Sequence, residues 1–381
     1  MRYYTYIDDP VLKDRNLGVS PAGQSKSLYI IPKLKSLEKN FTVVTLARTK
    51  NNGVEYPATC HINSNGIEIA TLKDKAYQTG LKRYIYALAY HFRIFSSFFK
   101  QGKGDITIVY HSLMHTVELC AAKRLCGFKL VLELEEIYQD VVPCGRFKAY
   151  WERKVIEVAD GYILATEALS KVIPQGKPYI VVNGTYHAEP DRHVRFNDEK
   201  IHCVYAGTFD PTKGGAAAAA AAAEFLPEKY HVHILGFGTE EQENQLQELI
   251  ATVQKKTKCT LTYDGLKSGE EYIQFLQKCQ IGLCTQIPDA KYTETSFPSK
   301  VLVYLANGLR VLSVRIPAVE NSAVGGVLYY YDNQSPQEIA NAIMAIPMEE
   351  DYNSRQLLNQ LDKDCERSLK QLMEKINNES D

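Results

Sequence analysis

The sequence predicts an α/β fold with two doubly wound parallel sheets. Its 381 residues exceed what one compact core usually holds, so two domains are expected. Strand-like apolar runs alternate with helical patterns along most of the chain, as in sheets covered by helices on both faces. The series breaks at a polar segment and then begins again. We therefore predict a first domain at 1–185, a linker at 186–200, a second domain at 201–350 and a terminal helical segment at 351–381.

The predicted strands are short runs rich in β-branched and other apolar residues. They lie at 41–46, 106–110, 129–134, 161–165 and 179–182 in the first half, and at 202–206, 232–235, 261–263, 281–284, 311–314 and 326–329 in the second. Helical patterns lie at 24–39, 77–100, 113–126, 146–158, 167–172, 335–346 and 354–377. Two such halves would face each other across a cleft, with ligands at the carboxyl ends of the strands.

An unbroken alanine run, Ala216 to Ala223, predicts one more helix, because alanine is the best helix former. This helix has no large apolar side chain to offer a sheet. Either it packs unusually closely, or the run is engineered or masks an unassigned sequence; the residues leave these alternatives open.

Composition narrows the class of protein. Hydrophobic residues at 45% and charged residues at 23% are typical of globular proteins, and a formal net charge of −1 argues against a nucleic-acid partner. Nine scattered cysteines without a CxxC pair favour free thiols in a reducing compartment over disulfides or a zinc site. No signal-peptide core and no apolar window long enough to span a membrane are found, so we predict a cytoplasmic protein.

Peripheral membrane contact, at the inner face of the membrane, is an alternative that one segment supports. Residues 82–103 mix basic and aromatic side chains, as helices lying in a bilayer interface do. The same pattern also describes ordinary core packing with a solvated basic edge.

The most informative motif runs from Ser296 to Gly308. A turn of small residues and proline leads into a short apolar helix with Lys300 in its first turn, and Gly308 is a plausible stop. Helix N-termini hold phosphates, and a lysine adds a point charge. The motif therefore predicts a phosphate site, with an ordinary helix–strand junction as the alternative.

A second loop has similar chemistry. Residues 207–215 follow the first strand of the second half, are bounded by glycines and include Lys213. Backbone N–H groups together with Lys213 could bind phosphate at the same cleft as Lys300. The turns at Gly236-Phe237 and at Gly265 would line a nucleotide base, or are simple turns.

Candidates in the first half are less specific. Small residues at 18–26, including Gly23, would let a phosphate or sugar approach the backbone. His111 follows a strand and would contact a substrate hydroxyl or act as acid or base, or be a structural histidine. Alternation places Glu133 and Glu135 on one face, where they could bind sugar hydroxyls or act as a base. No further metal ligands could be located, so no metal site is predicted.

Taken in order, these motifs resemble the nucleotide-sugar half of GT-B-fold glycosyltransferases, and the chain is most similar to glycosyltransferase family 4. The resemblance rests on residues 205–214, 233–238, 263–265 and 297–308, together with Ala159-Asp160-Gly161 and Val182-Asn183-Gly184 near the end of the first domain. No P-loop, GxGxxG or Ser/His/Asp triad is present, which disfavours NTPase, dehydrogenase and hydrolase activities.

The resemblance implies two Rossmann-like domains and a C-terminal helix that returns to the first domain, so that residues 354–377 should pack there. It also implies a metal-independent hexosyltransferase that moves a sugar, with retention, from a nucleotide diphosphate sugar to a saccharide, lipid-linked or protein acceptor. Surface polysaccharide or glycan biosynthesis is the expected setting. A UDP-sugar is the default donor, and no cofactor is expected.

The resemblance also assigns residues. Lys213 falls on a phosphate-contacting lysine, Lys300 and Ser299 fall near the donor diphosphate, and His111 lies near a substrate-contacting histidine. The predicted catalytic residues are His111, Glu135 and Glu294. The predicted donor-binding residues are Gly23, Gly207, Thr208, Lys213, Gly236, Phe237, Gly265, Ser296, Phe297, Pro298, Ser299 and Lys300.

Three positions depart from the family pattern. Thr295 and Val303 stand where two glutamates are common, with Glu294 one residue from the first, and Thr208 stands where an arginine is common. A lost buried hydrogen bond to the ribose would cost on the order of 1.5–3 kcal/mol, enough to weaken donor binding. A catalytically weak or inactive subunit that binds an acceptor or a partner enzyme is therefore the alternative to an active transferase, and a sugar-nucleotide epimerase is a less favoured one.

Overall fold

The computed structural model describes residues 1–141, 144–288 and 291–378. The chain divides into two compact units. The first unit comprises Met1–Thr185 and Asp364–Asp381, and the second comprises Tyr186–Lys363. Each unit has its own predominantly parallel sheet.

The first unit is built on an eight-stranded sheet in the order β10-β9-β8-β7-β1-β2-β5-β4. The strands of this unit are β1 (Arg2–Thr5), β2 (Thr42–Thr45), β3 (Glu55–Tyr56), β4 (Thr59–Ile62), β5 (Glu68–Thr71), β6 (Asp74–Lys75), β7 (Ile106–Tyr110), β8 (Lys129–Leu134), β9 (Gly161–Leu164) and β10 (Tyr179–Val181). Only the edge strand β4 runs antiparallel to its neighbour, and β3 and β6 form a separate antiparallel pair.

Helices pack on this sheet through buried apolar side chains. They are α1 (Pro21–Leu37), α2 (Gly80–Phe98), α3 (Thr116–Cys126), α4 (Tyr138–Val141) and α5 (Arg146–Val158), with 3-10 helices at Pro10–Arg15 and Glu167–Val172. Tyr4 of β1 and Phe98 of α2 illustrate the contact, with ring centroids 4.6 Å apart in the core. Because β1, β7 and β8 are parallel neighbours, their carboxyl ends lie at the same edge of the sheet.

The second unit contains a six-stranded, all-parallel sheet in the order β13-β12-β11-β14-β15-β16. Its strands are β11 (Ile201–Thr208), β12 (Tyr230–Phe237), β13 (Thr260–Gly265), β14 (Ile281–Cys284), β15 (Arg310–Val314) and β16 (Tyr329–Tyr331). Its helices are α6 (Gly215–Ala222), α7 (Glu240–Gln254), α8 (Gly269–Lys278), α9 (Lys300–Ala306), α10 (Pro317–Glu320), α11 (Pro336–Met344) and the start of α12 (Ser354–Asn378), with 3-10 helices at Ala223–Phe225, Lys291–Glu294 and Gly325–Val327.

Most predicted elements are confirmed, and the strands at 106–110, 129–134 and 281–284 have the predicted bounds. The strand predicted at 326–329 is wrong, because Gly325–Val327 form a 3-10 turn and β16 begins only at Tyr329. At Gly325 the backbone lies so close to Glu320 that a Cβ would come within 2.1 Å of the Glu320 carbonyl oxygen, so the tight turn prevails over the apolar run. The strands β3 to β6, the polar helices α7 and α8 and the short helices α4 and α10 were not predicted.

The alanine run forms α6, and close packing explains how it holds its place. Ala216, Ala219, Ala220 and Ala222 are buried. The helix lies against β11 and β12 and touches α7 and α11, and it contributes only alanine side chains and one glycine to these contacts. Small residues permit such close approach of backbones, so this helix fits a narrow space.

The long C-terminal helix is shared between the units. Its start belongs to the second unit, where the Ser354 hydroxyl donates to the Leu305 carbonyl at 2.7 Å. From Asp364 onward the helix belongs to the first unit, where the Lys129 ammonium donates to the carbonyls of Ile376 and Asn377 at 2.6 and 2.9 Å. A lysine at this position satisfies terminal carbonyls and complements the helix dipole.

Three further features bear on the sequence predictions. Residues 186–200 belong to the second unit, and the Glu189 amide donates to the Ala306 carbonyl at 2.9 Å. All nine cysteines lie within the described residues and are free thiols, as predicted. Among the described helices, none is both long enough and apolar enough to cross a bilayer.

Candidate functional site

The carboxyl edge of the second sheet is defined by two glycines in contact. Gly207 at the end of β11 pairs in register with Gly236 at the end of β12. A Cβ placed on Gly236 would lie only 1.7 Å from the Gly207 carbonyl oxygen, and Gly236 has a φ of 143°. Only glycine fits both the space and this backbone conformation. Glycine at 236 therefore lets the two backbones come into close contact one residue before the strands end at Thr208 and Phe237.

Lys300 lies against this backbone. Its Nζ is 3.9 Å from the centroid of the Tyr205 ring, and a Cβ on Gly207 would lie 3.0 Å from the same Nζ. No carboxylate of the described residues pairs with Lys300 in an ion pair. The lysine charge is thus held at the sheet edge by a cation–π contact, which leaves the ammonium able to bind an anion.

The loop between β11 and α6 is held in one shape by its own hydrogen bonds. The Asp210 carboxylate accepts from the Thr212 amide and hydroxyl at 2.9 and 2.7 Å. The Asp210 carbonyl accepts from the amides of Lys213 and Gly214, and the Ile287 amide donates to the Lys213 carbonyl at 3.0 Å. The side chain of Lys213 is exposed at the tip of this loop.

Helix α6 begins directly after this loop with no side-chain cap on its first N–H groups. Its N-cap, Gly214, has a φ of 65°, a conformation that glycine adopts at little cost. A Cβ on Gly215 would lie 2.8 Å from Cε2 of Tyr205. The start of α6 and Lys300 therefore both contact Tyr205. Uncapped N–H groups at a helix start and a nearby ammonium are the components of an anion site.

The remaining donor-binding candidates lie around this centre. Phe237 is 49% exposed after Gly236, and Gly265 ends β13 with a φ of 72°. The turn from Ser296 to Pro298 is half-buried and leads into α9, whose apolar face is buried as predicted. Because α9 has only seven residues, the ammonium of Lys300 is a stronger anion-binding feature than the end of this helix. Glu294 is exposed at the end of its 3-10 helix.

A second polar cluster lies at the carboxyl ends of β1, β7 and β8 in the first unit. Lys26 of α1 forms an ion pair with Glu135 and lies 3.9 Å from Glu133. The Tyr3 hydroxyl donates to Glu133, and the Ser27 hydroxyl lies within hydrogen-bond distance of both Tyr3 and Thr5. The predicted pairing of Glu133 and Glu135 on one face is explained by this shared lysine.

Burial raises the pKa of two groups in this region, Glu133 and Tyr110. Burial and the neighbouring Glu135 raise the pKa of Glu133 to about 7, although Lys26 and the Tyr3 hydroxyl oppose the shift. The other Glu133 oxygen, Oε1, is buried and accepts no hydrogen bond from the described residues. Burial, followed by the charge of Glu135, also raises the pKa of Tyr110 well above its usual range. Gly23 lies against this tyrosine, since a Cβ there would be 3.0 Å from the Tyr110 hydroxyl.

His111 lies beside this cluster but below the surface. Its backbone amide donates to the Glu133 carbonyl at 2.8 Å, and its Nε2 is 3.5 Å from a carboxylate oxygen of Glu152. Burial lowers the pKa of His111 to about 3, so the ring is neutral at physiological pH. Of the two predicted catalytic residues in this unit, Glu135 is partly exposed, whereas His111 is only 1% exposed.

The structure thus brings Gly207, Gly236 and Lys300 together in one unit, and Gly23 and Glu135 in the other. Sequence reasoning missed Tyr205, which Lys300 contacts, and Lys26, which joins the two glutamates. Both residues lie in segments that the sequence analysis names as candidate sites, but a sequence pattern does not show which residues their side chains contact. These side-chain contacts are defined only by the tertiary structure.

Comparison with known proteins supports the fold. No protein-family model matches the chain, and no curated protein matches it. Solved structures do match. An α,α-trehalose 6-phosphate synthase from Burkholderia multivorans is 10% identical with a TM-score of 0.67, over 100% of this chain and 98% of that one.

Two other matches are similar in extent. Alr3699/HepE from Anabaena in complex with UDP is 12% identical, with a TM-score of 0.66 over 100% of this chain and 98% of that one. Sucrose-phosphate synthase from Thermosynechococcus elongatus is 13% identical, with a TM-score of 0.64 over 100% and 97%. The predicted GT-B fold with two Rossmann-like sheets is confirmed.

The buried Glu133 predicts a pH dependence of stability. The unfolded chain releases this proton near pH 4.5 and the folded chain near pH 7, so the folded state binds more protons in between. The raised pKa of Glu133 therefore adds to the free energy of unfolding. This stabilising contribution is fully present below about pH 4.5 and is lost as pH rises to about 7. Relative to wild type, Glu133→Gln should become more stable as pH rises across this window, measured by urea denaturation at several pH values.

The exposed residue Glu228 provides a control for this experiment. Glu228→Gln should leave the pH dependence unchanged. If the stability curves of wild type and Glu133→Gln run parallel from pH 4.5 to 7, Glu133 is ionised throughout and the proposed protonation is incorrect.

Proposed function

We propose that this protein is a glycosyltransferase similar to family 4 that takes its sugar from a UDP-sugar. The observation that carries the proposal is the ammonium of Lys300 held over Tyr205 beside the bare backbone of Gly207. This arrangement lies at the carboxyl edge of a parallel sheet, where nucleotides bind in doubly wound folds. The structural neighbour HepE from Anabaena was solved with UDP, which agrees with this choice of donor.

The chemistry assigned to the second unit is stabilisation of the leaving diphosphate. Lys300 and Lys213 would contribute positive charge, and the first N–H groups of α6 would donate hydrogen bonds to phosphate oxygens. Phe237 and Gly265 would border the nucleoside, and the residues from Ser296 to Ser299 would approach the diphosphate. Glu294, the remaining catalytic candidate in this unit, would contact the donor sugar. Catalysis in this scheme is mainly orientation and charge stabilisation, without a metal in the transfer step and with retention at the anomeric carbon.

The first unit would hold the acceptor, which is a saccharide, a lipid-linked molecule or a protein. Glu135 is the accessible carboxylate there, and its ion pair with Lys26 holds it in place to accept a hydrogen bond from a sugar hydroxyl. Gly23 would give the acceptor access to the backbone at the start of α1. His111, being buried and neutral, would position this edge of the sheet from below.

A catalytically weak subunit is a second candidate, and one observation favours it. Val303 stands within α9 where the family commonly has a glutamate, and its side chain is apolar and half-buried. A ribose hydroxyl at this position would find no carboxylate from residue 303. A protein that binds UDP but releases no UDP from UDP-sugars with any acceptor would fit this candidate.

The proposal predicts that Lys300→Met weakens UDP binding by about 10- to 100-fold, as the loss of one charged contact of 1.5–3 kcal/mol implies. The measurement is isothermal titration with UDP. Lys229→Met is the matched control, because Lys229 also lies near an aromatic ring, 5.5 Å from that of Tyr230, but at the other end of the sheet. Wild-type protein that binds no UDP at millimolar concentration would exclude this donor.

We also propose that the protein contacts the inner face of the membrane from the cytoplasm through α2. One stripe of this helix is apolar and exposed: Leu81, Tyr84, Ile85, Leu88 and Phe92 are each more than half exposed. The exposed bases Lys82 and Arg83 lie beside it. An apolar stripe next to basic residues is typical of helices that lie in an anionic bilayer interface.

This contact predicts binding to vesicles containing anionic lipid. The double variant Leu88→Asp/Phe92→Asp should lose at least tenfold in partitioning, measured by co-sedimentation, because two apolar side chains no longer enter the interface. Leu266→Asp is the control, since Leu266 is 67% exposed in the other unit. Equal sedimentation of both variants with wild type would contradict the proposal.

A further inference from the structure

Three histidines cluster near the amino end of the second sheet. His202 lies on β11, and His231 and His233 lie on β12, with His202 paired to His231 in register. One ring nitrogen from each lies within 4.8 Å of the others. His202 and Gly207 are five residues apart on one strand, about 16 Å along it, so this cluster is separate from the glycine edge.

The inner ring nitrogens of His202 and His233 face each other. Nδ1 of His202 lies 2.9 Å from Nε2 of His233. The other nitrogen of His202 is 2.7 Å from an Asp198 oxygen, and the other nitrogen of His233 is 3.0 Å from an Asp264 oxygen. An ionised carboxylate only accepts hydrogen bonds, so both outer nitrogens carry the hydrogens. Two neutral rings would then point lone pairs at each other, and either a metal ion or a proton shared between the two nitrogens would remove this repulsion.

Both carboxylates are fixed by further hydrogen bonds from their neighbours. The Lys200 amide donates to Asp198 at 3.3 Å. The Thr262 hydroxyl donates to Asp264 at 2.7 Å. A carboxylate behind each imidazole is the arrangement that orients histidines toward a metal and increases their basicity. The two negative charges also offset the charge of a divalent ion.

The surroundings are those of a protected site. The Phe196 ring stacks on His202 at 4.0 Å and on His233 at 5.1 Å between centroids. The His231 ring stacks on His233 at 3.8 Å, and its Nε2 lies 3.0 Å from the Thr262 hydroxyl. Asp198 is 45% exposed, which gives an ion a route in from solvent.

We propose that His202, His231 and His233 form a binding site for Zn²⁺. Zinc–nitrogen bonds of about 2.0–2.1 Å in a tetrahedral site place ligand nitrogens roughly 3.4 Å apart. The facing pair would open by about half an ångström. A nitrogen of His231, which lies within 4.8 Å of both, would supply the third ligand. The ion would tie β11 to β12 and, through Asp198, to the segment at 186–200. The proposal is independent of nucleotide binding.

The described residues contain one other group of this kind, His91 with His115 and Glu118. There Nδ1 of His91 lies 2.5 Å from Glu118, so an imidazole and a carboxylate already satisfy each other without an ion. This second group therefore serves as an internal control rather than as a competing site.

The test is equilibrium dialysis of the full chain against micromolar Zn²⁺, with the bound metal measured by mass spectrometry. Wild type should bind one equivalent, and the double variant His202→Gln/His233→Gln should bind none. His193→Gln and His91→Gln should bind as wild type does, since His193 is 86% exposed outside the cluster. Cobalt substitution should give a spectrum without a thiolate charge-transfer band, which separates this site from the free cysteines.

A milder variant keeps the test decisive if the double variant fails to fold. Asp264→Asn removes only the partner of His233 and should weaken zinc binding 10- to 100-fold. Wild type that binds no zinc, zinc binding unchanged in Asp264→Asn, or a thiolate band would overturn the proposal. A proton shared between the two rings, seen by ¹⁵N NMR in protein that takes up no zinc, would overturn it as well.

Discussion

The contact between Gly207 and Gly236 is the constraint on which the candidate nucleotide site depends. Two adjacent parallel strands come into backbone contact near their ends, and a side chain on Gly236 would collide with the Gly207 carbonyl. This leaves room for the long side chain of Lys300, which crosses Tyr205 to reach the backbone. The tight loop at 208–215 and the uncapped start of α6 follow directly from the same strand. A single close approach therefore sets the position of the charge, the loop and the helix.

The same two strands carry different chemistry at their two ends. Glycines near the carboxyl ends of β11 and β12 bring the two backbones together, whereas histidines near their amino ends form a cluster covered by aromatic rings. The first unit has its own polar edge, where Lys26 joins two carboxylates and Glu133 is held in low-dielectric surroundings. In each case a charged or titratable group is fixed by neighbours from several strands, which is how a parallel sheet assembles sites from distant residues.

The sequence was sufficient for the fold because the patterns that specify it are local. Apolar runs such as Ile106–Tyr110 and the glycine stop at Gly308 need no tertiary information. The side-chain contacts within each site were harder to predict. Lys26 meets Glu133 and Glu135 only because its side chain reaches from α1 to the end of β8, and His202 meets His233 only through strand register. The alternation of His231 and His233 was a readable signal, since both must lie on one face of a strand. The strand predicted at 326–329 is wrong for a different reason. The apolar run there favours a strand, but a close backbone contact at Gly325 imposes a tight turn.

The central claim is that a nucleoside diphosphate binds at the carboxyl edge of the second sheet, between the start of α6 and Lys300. Hydrogen–deuterium exchange with and without saturating UDP tests it most directly, because the claimed ligands are backbone amides. The account predicts slower exchange in peptides covering residues 207–217 and the start of α9, with no change around His202 and His233. Protection absent from 207–217, or confined to the first unit, would contradict it.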